Sequence, residues 1–129
     1  MTWAPRGRIM DAMRNNLLAW QWEGYAANHG NRTNLLLHIV TVPIFIAGLA
    51  AVVASPLLGL AWLPVGLGGM VVALAAQGRG HRAEATAPVP FTGPGDFVSR
   101  FLVEQLVNFP RFVVSGGWRG AWRAARSAA

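Results

Sequence analysis

Two apolar runs decide the fold of this chain: LLLHIVTVPIFIAGLAAVVA at residues 35–54 and LLGLAWLPVGLGGMVVALAA at residues 57–76. Each run is 20 residues long, and a helix of about 20 apolar residues crosses a hydrocarbon layer ~30 Å thick. Only Ser55 and Pro56 separate the two runs. The pattern predicts two transmembrane helices joined by a tight turn at this dipeptide; the alternative is a pair of buried helices in a soluble protein.

Charge lies entirely outside this predicted hairpin. Charged residues make up 12% of the chain, against about 25% in ordinary soluble domains, and residues 33–78 contain none. A net charge of +6 would suit nucleic acid, but a nucleic-acid-binding domain seldom leaves a third of its length uncharged, so we exclude that partner. Cysteine is absent, which excludes disulfides and thiolate metal sites.

The distribution of arginine predicts how the hairpin is oriented. Basic residues favour the cytoplasmic side of a membrane, and every arginine lies outside residues 33–78. We therefore expect both ends of the hairpin, and both termini, in the cytoplasm. Because the chain is short and all its basic residues are arginine, we expect a protein of the bacterial inner membrane. Residues 1–129 are predicted to form a single domain.

Amphipathic helices are predicted on both flanks of the hairpin, at about residues 7–29 and 96–115. In the first, Ile9, Met13 and Leu17 recur every four residues, which places them on one face of a helix. The predicted fold is therefore all-α: an integral membrane helical bundle with a central transmembrane hairpin and amphipathic flanking helices.

The second flanking helix carries a polar stripe formed by Arg100, Glu104, Asn108 and Arg111. Such a stripe on an apolar helix is typical of a helix that lies along a membrane surface or faces a bundle interior. We expect an interfacial helix bent near Pro110. Glu104 has two interpretations, an ion pair with Arg100 four residues earlier or a role near a functional site.

Two further segments complete the prediction. The sequence GRGHRAEATAPVPFTGPGD at residues 78–96 is rich in Gly and Pro, which predicts a loop. Trp118 and Trp122 stand four residues apart among arginines, a pattern typical of a membrane-interface anchor.

The three histidines of the chain are predicted to meet at one end of the hairpin. A hairpin returns the chain to the side that it left, so His38 and His81 become neighbours, and His29 lies on the same side with a turn at residues 30–34. Three imidazoles from three elements make a site for iron, zinc, copper or nickel. The alternative for each histidine is an interfacial anchor or a hydrogen-bonded packing residue.

Other polar residues lie at the same level. Glu84 follows His81 by three residues and can be a carboxylate ligand or a proton acceptor. Tyr25 shares the helix face of His29, and Asn34 can orient His38 by a hydrogen bond. Arg32, Arg79 and Arg82 flank this level as well. They either follow the cytoplasmic bias of basic residues or hold an anionic head group.

The spacing Tyr25-x3-His29-x4-Asn34-x3-His38, followed by Pro43, resembles the first motif of the Mpo1-like family of membrane proteins. The family has a Gly just before that proline, whereas this chain has VTVP. The resemblance covers about residues 20 to 115.

The second family motif is a Gly-His followed by Glu and Pro, which corresponds here to Gly80, His81, Glu84 and Pro88. In many relatives the Glu stands four residues after the His, and here it stands three residues after it.

What the resemblance implies is an Fe(II)-dependent dioxygenase that shortens 2-hydroxy fatty acids by one carbon with O2. Its expected metal ligands are His29, His38 and His81, and the expected catalytic residues are Glu84 and Tyr25. A carboxylate of the lipid substrate would be attracted by the three arginines named above. Two alternatives stay open: a non-enzymatic membrane scaffold or interaction protein, and a zinc-dependent lipid hydrolase, because histidines with a nearby Glu also suit zinc.

Overall fold

The structure, a computed structural model, describes residues 16–127, and this part of the chain is helical without strands. The all-α prediction is therefore confirmed. Ile9 and Met13, and with them the start of the first predicted flanking helix, lie outside the described residues. The helices are α1 (Leu17–Glu23), α2 (Arg32–Leu58), α3 (Trp62–Arg82), α4 (Pro94–Val103), α5 (Phe109–Val114) and α6 (Gly117–Ser127), with a 3-10 turn at Ala26–Asn28 and a π-helical turn at Glu104–Asn108.

Helices α2 and α3 form an antiparallel hairpin whose glycines allow the two backbones to touch. A Cβ atom added to Gly48 would lie 2.6 Å from the carbonyl oxygen of Gly66. One added to Gly80, at the other end of the contact, would overlap the side-chain oxygen of Asn34. Small residues at such crossings let two helix backbones approach closely. The α2–α3 contact is the most extensive in the fold.

The hairpin turn lies at Gly59, beyond the predicted Ser55-Pro56 dipeptide. Helix α2 continues through Pro56, where the Ser55 hydroxyl donates a 2.8 Å hydrogen bond to the carbonyl of Val52. That carbonyl would otherwise lose its partner, since proline has no N–H to donate. Gly59 has a φ of 120°, which only glycine adopts without strain. The chain therefore reverses at a glycine that directly follows the end of α2.

The Gly-rich sequence after the second apolar run is helical as far as Arg82, so the loop predicted at residues 78–96 is shorter than expected. His81 lies in the last turn of α3 and not in a loop. The reason is the Asn34 contact of Gly80, because a glycine here serves close packing and does not break the helix. Residues 83–93, which we call the strap, connect α3 to α4 without regular secondary structure.

The remaining helices cover the end of the hairpin that lies opposite Gly59. Buried residues from the 3-10 region, α2 and α5 pack there as one apolar core: Tyr25, Leu35, Val42, Phe109 and Phe112. Helix α6 folds back onto the start of α2, where the Trp118 indole donates a 3.1 Å hydrogen bond to the Leu35 carbonyl. The core therefore fixes the chain at the end where the histidines lie.

One helix of the described chain, α2, is long and apolar enough to cross a membrane by length and composition. Two such helices were expected. Helix α3 does not meet the same criterion; its last two turns carry Gln77, Arg79 and Arg82. Of the most apolar window in α2, 28% is buried, so most of that surface faces outward.

Candidate metal centre

Three imidazole rings meet at the open end of the hairpin. The ring centroids lie 4.8 Å apart for His29 and His38, and 4.9 Å apart for His81 with each of the other two. The ring planes are tilted at 80 to 86° to one another. His29 follows the 3-10 turn, His38 lies in the second turn of α2, and His81 lies in the last turn of α3. The three rings thus surround a common point, as ligands of one ion do.

Glu104 is the fourth member of this group. Its Oε1 atom lies 3.2 Å, 3.0 Å and 3.6 Å from the Nε2 atoms of His29, His38 and His81. The four ligand atoms lie within 4.8 Å of one another. We call these four residues the His/Glu cluster. The sequence allowed two interpretations of Glu104, an ion pair with Arg100 or a role near a functional site. The ion pair is wrong, because Arg100 pairs with Asp96 at 3.3 Å.

The π-helical turn positions Glu104. Its carbonyl accepts the N–H of Phe109, five residues later, and the inserted residue rotates the following segment relative to a regular helix. The turn lies just before Pro110, which has no N–H for a regular α-helical bond. Where a bend was expected near Pro110, the structure has a π-helical turn that is wider than a regular helical turn. Such turns often occur at functional sites.

The hydrogen bonds of two histidines fix which ring nitrogen carries the proton. Nδ1 of His29 lies 2.8 Å from the Tyr25 carbonyl oxygen, and Nδ1 of His38 lies 3.0 Å from the Asn34 carbonyl oxygen. A carbonyl oxygen only accepts, so each Nδ1 must be the donor. In a neutral imidazole Nε2 then presents a lone pair, and in both residues Nε2 faces Glu104.

The pKa shifts of His29 and Glu104 have different causes. Burial lowers the pKa of His29 below 6.5, although Glu104 opposes that shift. Burial alone would raise the pKa of Glu104, but hydrogen bonds from the three histidines outweigh it and hold the pKa well below 4.5. A hydrogen bond from Nε2 of His29 or His38 to Glu104 requires the imidazolium, because Nδ1 already carries the proton of the neutral ring. A metal cation is the other partner that suits imidazole lone pairs and a carboxylate together.

The distances from Glu104 to the histidines are close to those of a metal site. Ligands bonded at about 2.1 Å to one ion, roughly 90 to 110° apart, lie about 3.0 to 3.4 Å from each other. The separations between Nε2 and Oε1 are near this range, whereas the four ligand atoms together spread over up to 4.8 Å, so a bound ion would draw the nitrogens closer to one another. Three imidazoles with one carboxylate form a donor set that suits iron or zinc.

Glu84, expected as a catalytic residue that could be a carboxylate ligand or a proton acceptor, lies outside the His/Glu cluster. Its carboxylate accepts hydrogen bonds from the backbone N–H groups of Gly30 (3.0 Å) and Asn31 (2.9 Å) and from the side-chain amide of Asn34 (2.8 Å). The Asn31 side chain in turn caps α2 by accepting from the N–H of Thr33 and Asn34. Glu84 therefore ties the end of α3 to the turn that carries His29.

Tyr25 and Asn34 contact the histidines directly. The Tyr25 ring stacks on His29 with centroids 4.0 Å apart. Asn34 orients His38 through its main-chain carbonyl, while its side chain bonds to Glu84. Burial raises the pKa of the Tyr25 phenol well above 10.0, and the nearby Glu104 charge adds to this. The raised pKa keeps the Tyr25 phenol protonated and able to donate. Within residues 16–127 its hydroxyl lies near Glu104 but has no hydrogen-bond partner of good geometry.

A cavity of about 720 Å³ opens beside the cluster. His29, His81, Glu104 and Tyr25 form part of its wall. Apolar side chains from α1, α3, α4 and the strap form much of the rest: Trp20, Leu74, Val89, Phe91, Phe97 and Phe101. A long apolar molecule can therefore place one end beside the His/Glu cluster.

The three arginines expected to bind substrate occupy different places. Arg82 lies in the cavity wall, and Arg79 is exposed on α3. The Arg32 guanidinium stacks over Trp122 at 4.4 Å, so it packs α6 against α2. Arg100 also lies in the cavity wall, where it donates 2.8 Å and 3.4 Å hydrogen bonds to the carbonyls of Val89 and Pro90 and holds the strap.

Sequence comparison adds no independent evidence about this site: no family model, curated protein or solved structure matches the chain. Glu104 is the site residue that sequence reasoning ranked too low. The available signal was an acidic residue on a largely apolar helix, since an ionisable residue in such a segment marks a candidate functional site.

Proposed function

We propose that this protein is a membrane-embedded Fe(II)-dependent dioxygenase that shortens 2-hydroxy fatty acids by one carbon. The observation that carries the proposal is the convergence of three imidazole nitrogens and one carboxylate oxygen on a common point beside an apolar cavity. His29, His38, His81 and Glu104 would hold the metal. The proposed substrate class rests on the resemblance of the sequence motifs to the Mpo1-like family.

The membrane part of the proposal rests on the outward surface of the hairpin. Large apolar side chains on α2, on α3 and at the turn between them are exposed: Val40, Ile44, Val53, Leu57, Leu60, Val65, Val71 and Val72. A monomeric soluble protein seldom exposes so large an apolar surface. We place the hairpin across a bacterial inner membrane, with the cluster at the cytoplasmic interface and both termini in the cytoplasm.

The substrate part of the proposal rests on the cavity. Its volume of about 720 Å³ lies in the range of roughly 300 to 1,000 Å³ typical of small-molecule sites. An acyl chain would lie along the apolar wall, with the carboxylate attracted by Arg82. The carboxyl and α-hydroxyl groups would then lie beside the cluster.

The protein's own groups have defined tasks in this reaction. The carbonyls of Tyr25 and Asn34 hold two imidazoles with Nε2 directed inward. Glu104 would supply one of the two negative charges that a divalent ion needs, and the substrate carboxylate would supply the other. Bound Fe(II) would supply the electrons with which O2 is activated. Tyr25 stays protonated and can donate a hydrogen bond to a substrate oxygen. One hydroxy acid and one O2 give the shortened acid, CO2 and water, which balances without an external reductant.

The test couples elemental analysis with oxygen consumption. Protein purified anaerobically in mild detergent should contain about one iron per chain and consume O2 with a 2-hydroxy fatty acid, releasing one CO2 per O2. Replacement of His29, His38 or His81 by Ala should abolish both, whereas Arg79→Ala, on the exposed side of α3, should abolish neither. Full iron occupancy in all three histidine variants would refute the ligand assignment.

Zinc hydrolysis is a second candidate, since the same donor set suits zinc. A stoichiometric zinc content, with lipid ester cleavage and no oxygen uptake, would favour it over the oxygenase. A purified protein that contains no metal and binds none would favour a non-enzymatic membrane scaffold.

A further inference from the structure

A second polar group lies buried inside the helical bundle. The side-chain amides of Gln77 and Gln105 donate to each other's oxygens, at 3.0 Å and 2.6 Å. Gln77 also donates to the Thr41 hydroxyl at 3.1 Å, and Thr41 donates to the Leu37 carbonyl at 2.6 Å. Gln77, Gln105 and Thr41 are exposed by 2%, 0% and 6%. We call these three residues the amide layer.

Each member of the amide layer lies within four residues of a His/Glu cluster residue in the sequence. Thr41 follows His38 by three residues on α2, and Gln77 precedes His81 by four residues on α3, so each shares a helix face with its histidine. Gln105 directly follows Glu104 in the π-helical turn. The layer therefore joins the three elements that carry three of the four cluster residues, about one helical turn deeper in the bundle.

Fold stability alone does not explain such a layer. A buried, fully paired amide group contributes little net stability, and apolar side chains of the same shape often replace one at almost no cost. Apolar contacts, however, allow one helix to slide against another by a fraction of a turn. Directional hydrogen bonds allow one register only, and a metal site requires its ligands to be held in a fixed geometry.

We infer that Thr41, Gln77 and Gln105 are positioning residues that fix the relative height of α2, α3 and the π-helical turn and so determine the metal affinity of the cluster. This inference depends on metal binding by the cluster, as the proposed function does, but not on the reaction that the metal performs. Outer residues that orient ligands typically change metal affinity by about 10 to 100-fold when they are replaced.

The decisive variant is Gln77→Met with Gln105→Met, which keeps the approximate shape of both side chains and removes both amides. Co(II) serves as the probe, because its absorption spectrum reports the ligand geometry. We expect the Co(II) dissociation constant to rise about 10 to 100-fold and the visible absorption bands to shift. The thermal unfolding midpoint of the metal-free protein should stay within a few degrees of the parent value, since both polar partners are removed together.

Two further variants serve as controls. Ser55→Ala removes a buried hydroxyl at the far end of α2 and should leave Co(II) binding unchanged. Thr41→Val should weaken Co(II) binding, while Thr41→Ser, which keeps the hydroxyl, should restore it. The Thr41 pair keeps the inference testable if the double Met variant does not fold.

The outcomes separate the two proposals. Parental Co(II) affinity and spectrum in the double Met variant, or in Thr41→Val where the double variant does not fold, would overturn the positioning role and leave the metal centre standing. A parent protein that binds no Co(II) would overturn the metal centre and the positioning role together.

Discussion

At the scale of single residues, the two glutamates near the histidines have different tasks from those that their chain positions indicate. Glu84 is the acidic residue closest in sequence to His81, yet it binds backbone N–H groups of the turn that carries His29. Glu104 is 66 residues from His38 in the sequence, yet it lies 3.0 Å from the imidazole. Proximity in the sequence favoured the wrong carboxylate.

Isosteric replacement of each glutamate should separate these tasks. Glu104→Gln removes the negative charge at the metal centre, so metal affinity should fall by at least ~100-fold, more than for an outer residue. The metal-free protein should stay stable, because the new amide can donate to an imidazole lone pair. Glu84→Gln should instead lower the free energy of unfolding by about 1 to 3 kcal/mol, since it weakens charge-assisted hydrogen bonds. Elemental analysis and denaturant unfolding measure both effects; equal metal loss in both variants would contradict this division.

Acid should destabilise the metal-free protein through His29 and Glu104. Burial lowers the pKa of His29 below 6.5, so protons bind more tightly to the unfolded chain and stability falls as the pH drops through 6.5. The lowered pKa of Glu104 acts in the same direction below about 4.5. Unfolding measured from pH 7.5 to 5 should show this loss. The slope near pH 6 should be smaller in His29→Gln, and an unchanged slope would assign the loss to other groups.

At the scale of elements, the spacing between α2 and α3 decides whether the histidines can meet. Gly80 lies where the two backbones touch beside Asn34, one residue before His81. Gly78 lies two residues earlier on the same helix with open space around it. Gly80 is therefore needed for the close contact between α2 and α3, whereas Gly78 in the same helical turn is not. No local sequence pattern distinguishes the two glycines.

Alanine substitution should show this difference. In Gly80→Ala the new Cβ would also lie 3.1 Å from the Asn34 Cα, so α3 must move away and the free energy of unfolding should fall by roughly 1 to 3 kcal/mol. Metal binding should weaken as well, because His81 moves with the helix. Gly78→Ala should be neutral or stabilising by up to about 1 kcal/mol. Similar stability losses for the two variants, measured by thermal unfolding in detergent, would argue against this close contact.

At the scale of the whole molecule, polar clusters are buried while large apolar side chains of the hairpin are exposed. The amide layer and the His/Glu cluster are internal, while Val53, Val71 and Leu57 point outward with exposures of 71%, 63% and 91%. Extended apolar patches mark interaction or membrane surfaces, so these side chains support the proposed membrane location.

A charged side chain on the exposed face of the hairpin should show whether lipid or water surrounds it. Val71→Lys changes an exposed side chain, so in water it would be nearly neutral. In a bilayer a central lysine costs about 2.5 to 3.5 kcal/mol on insertion scales. We expect Val71→Lys to reduce the amount of protein recovered in alkali-washed membranes, and Ala85→Lys, in the exposed strap, to leave it unchanged. A soluble, folded Val71→Lys protein at parental yield would refute the membrane assignment.

The sequence by itself determined the helical class and the gathering of three histidines at one end of a hairpin. Periodicity, apolar run length and the turn at residues 30–34 are local properties, and a hairpin brings its two ends together whatever its side chains are. Only the tertiary structure decided that Glu104 joins the histidines and that Glu84 does not. These outcomes depend on the separation of α2 and α3 and on how the π-helical turn lies against them. Both involve contacts between residues far apart in the chain, so no short stretch of sequence encodes them.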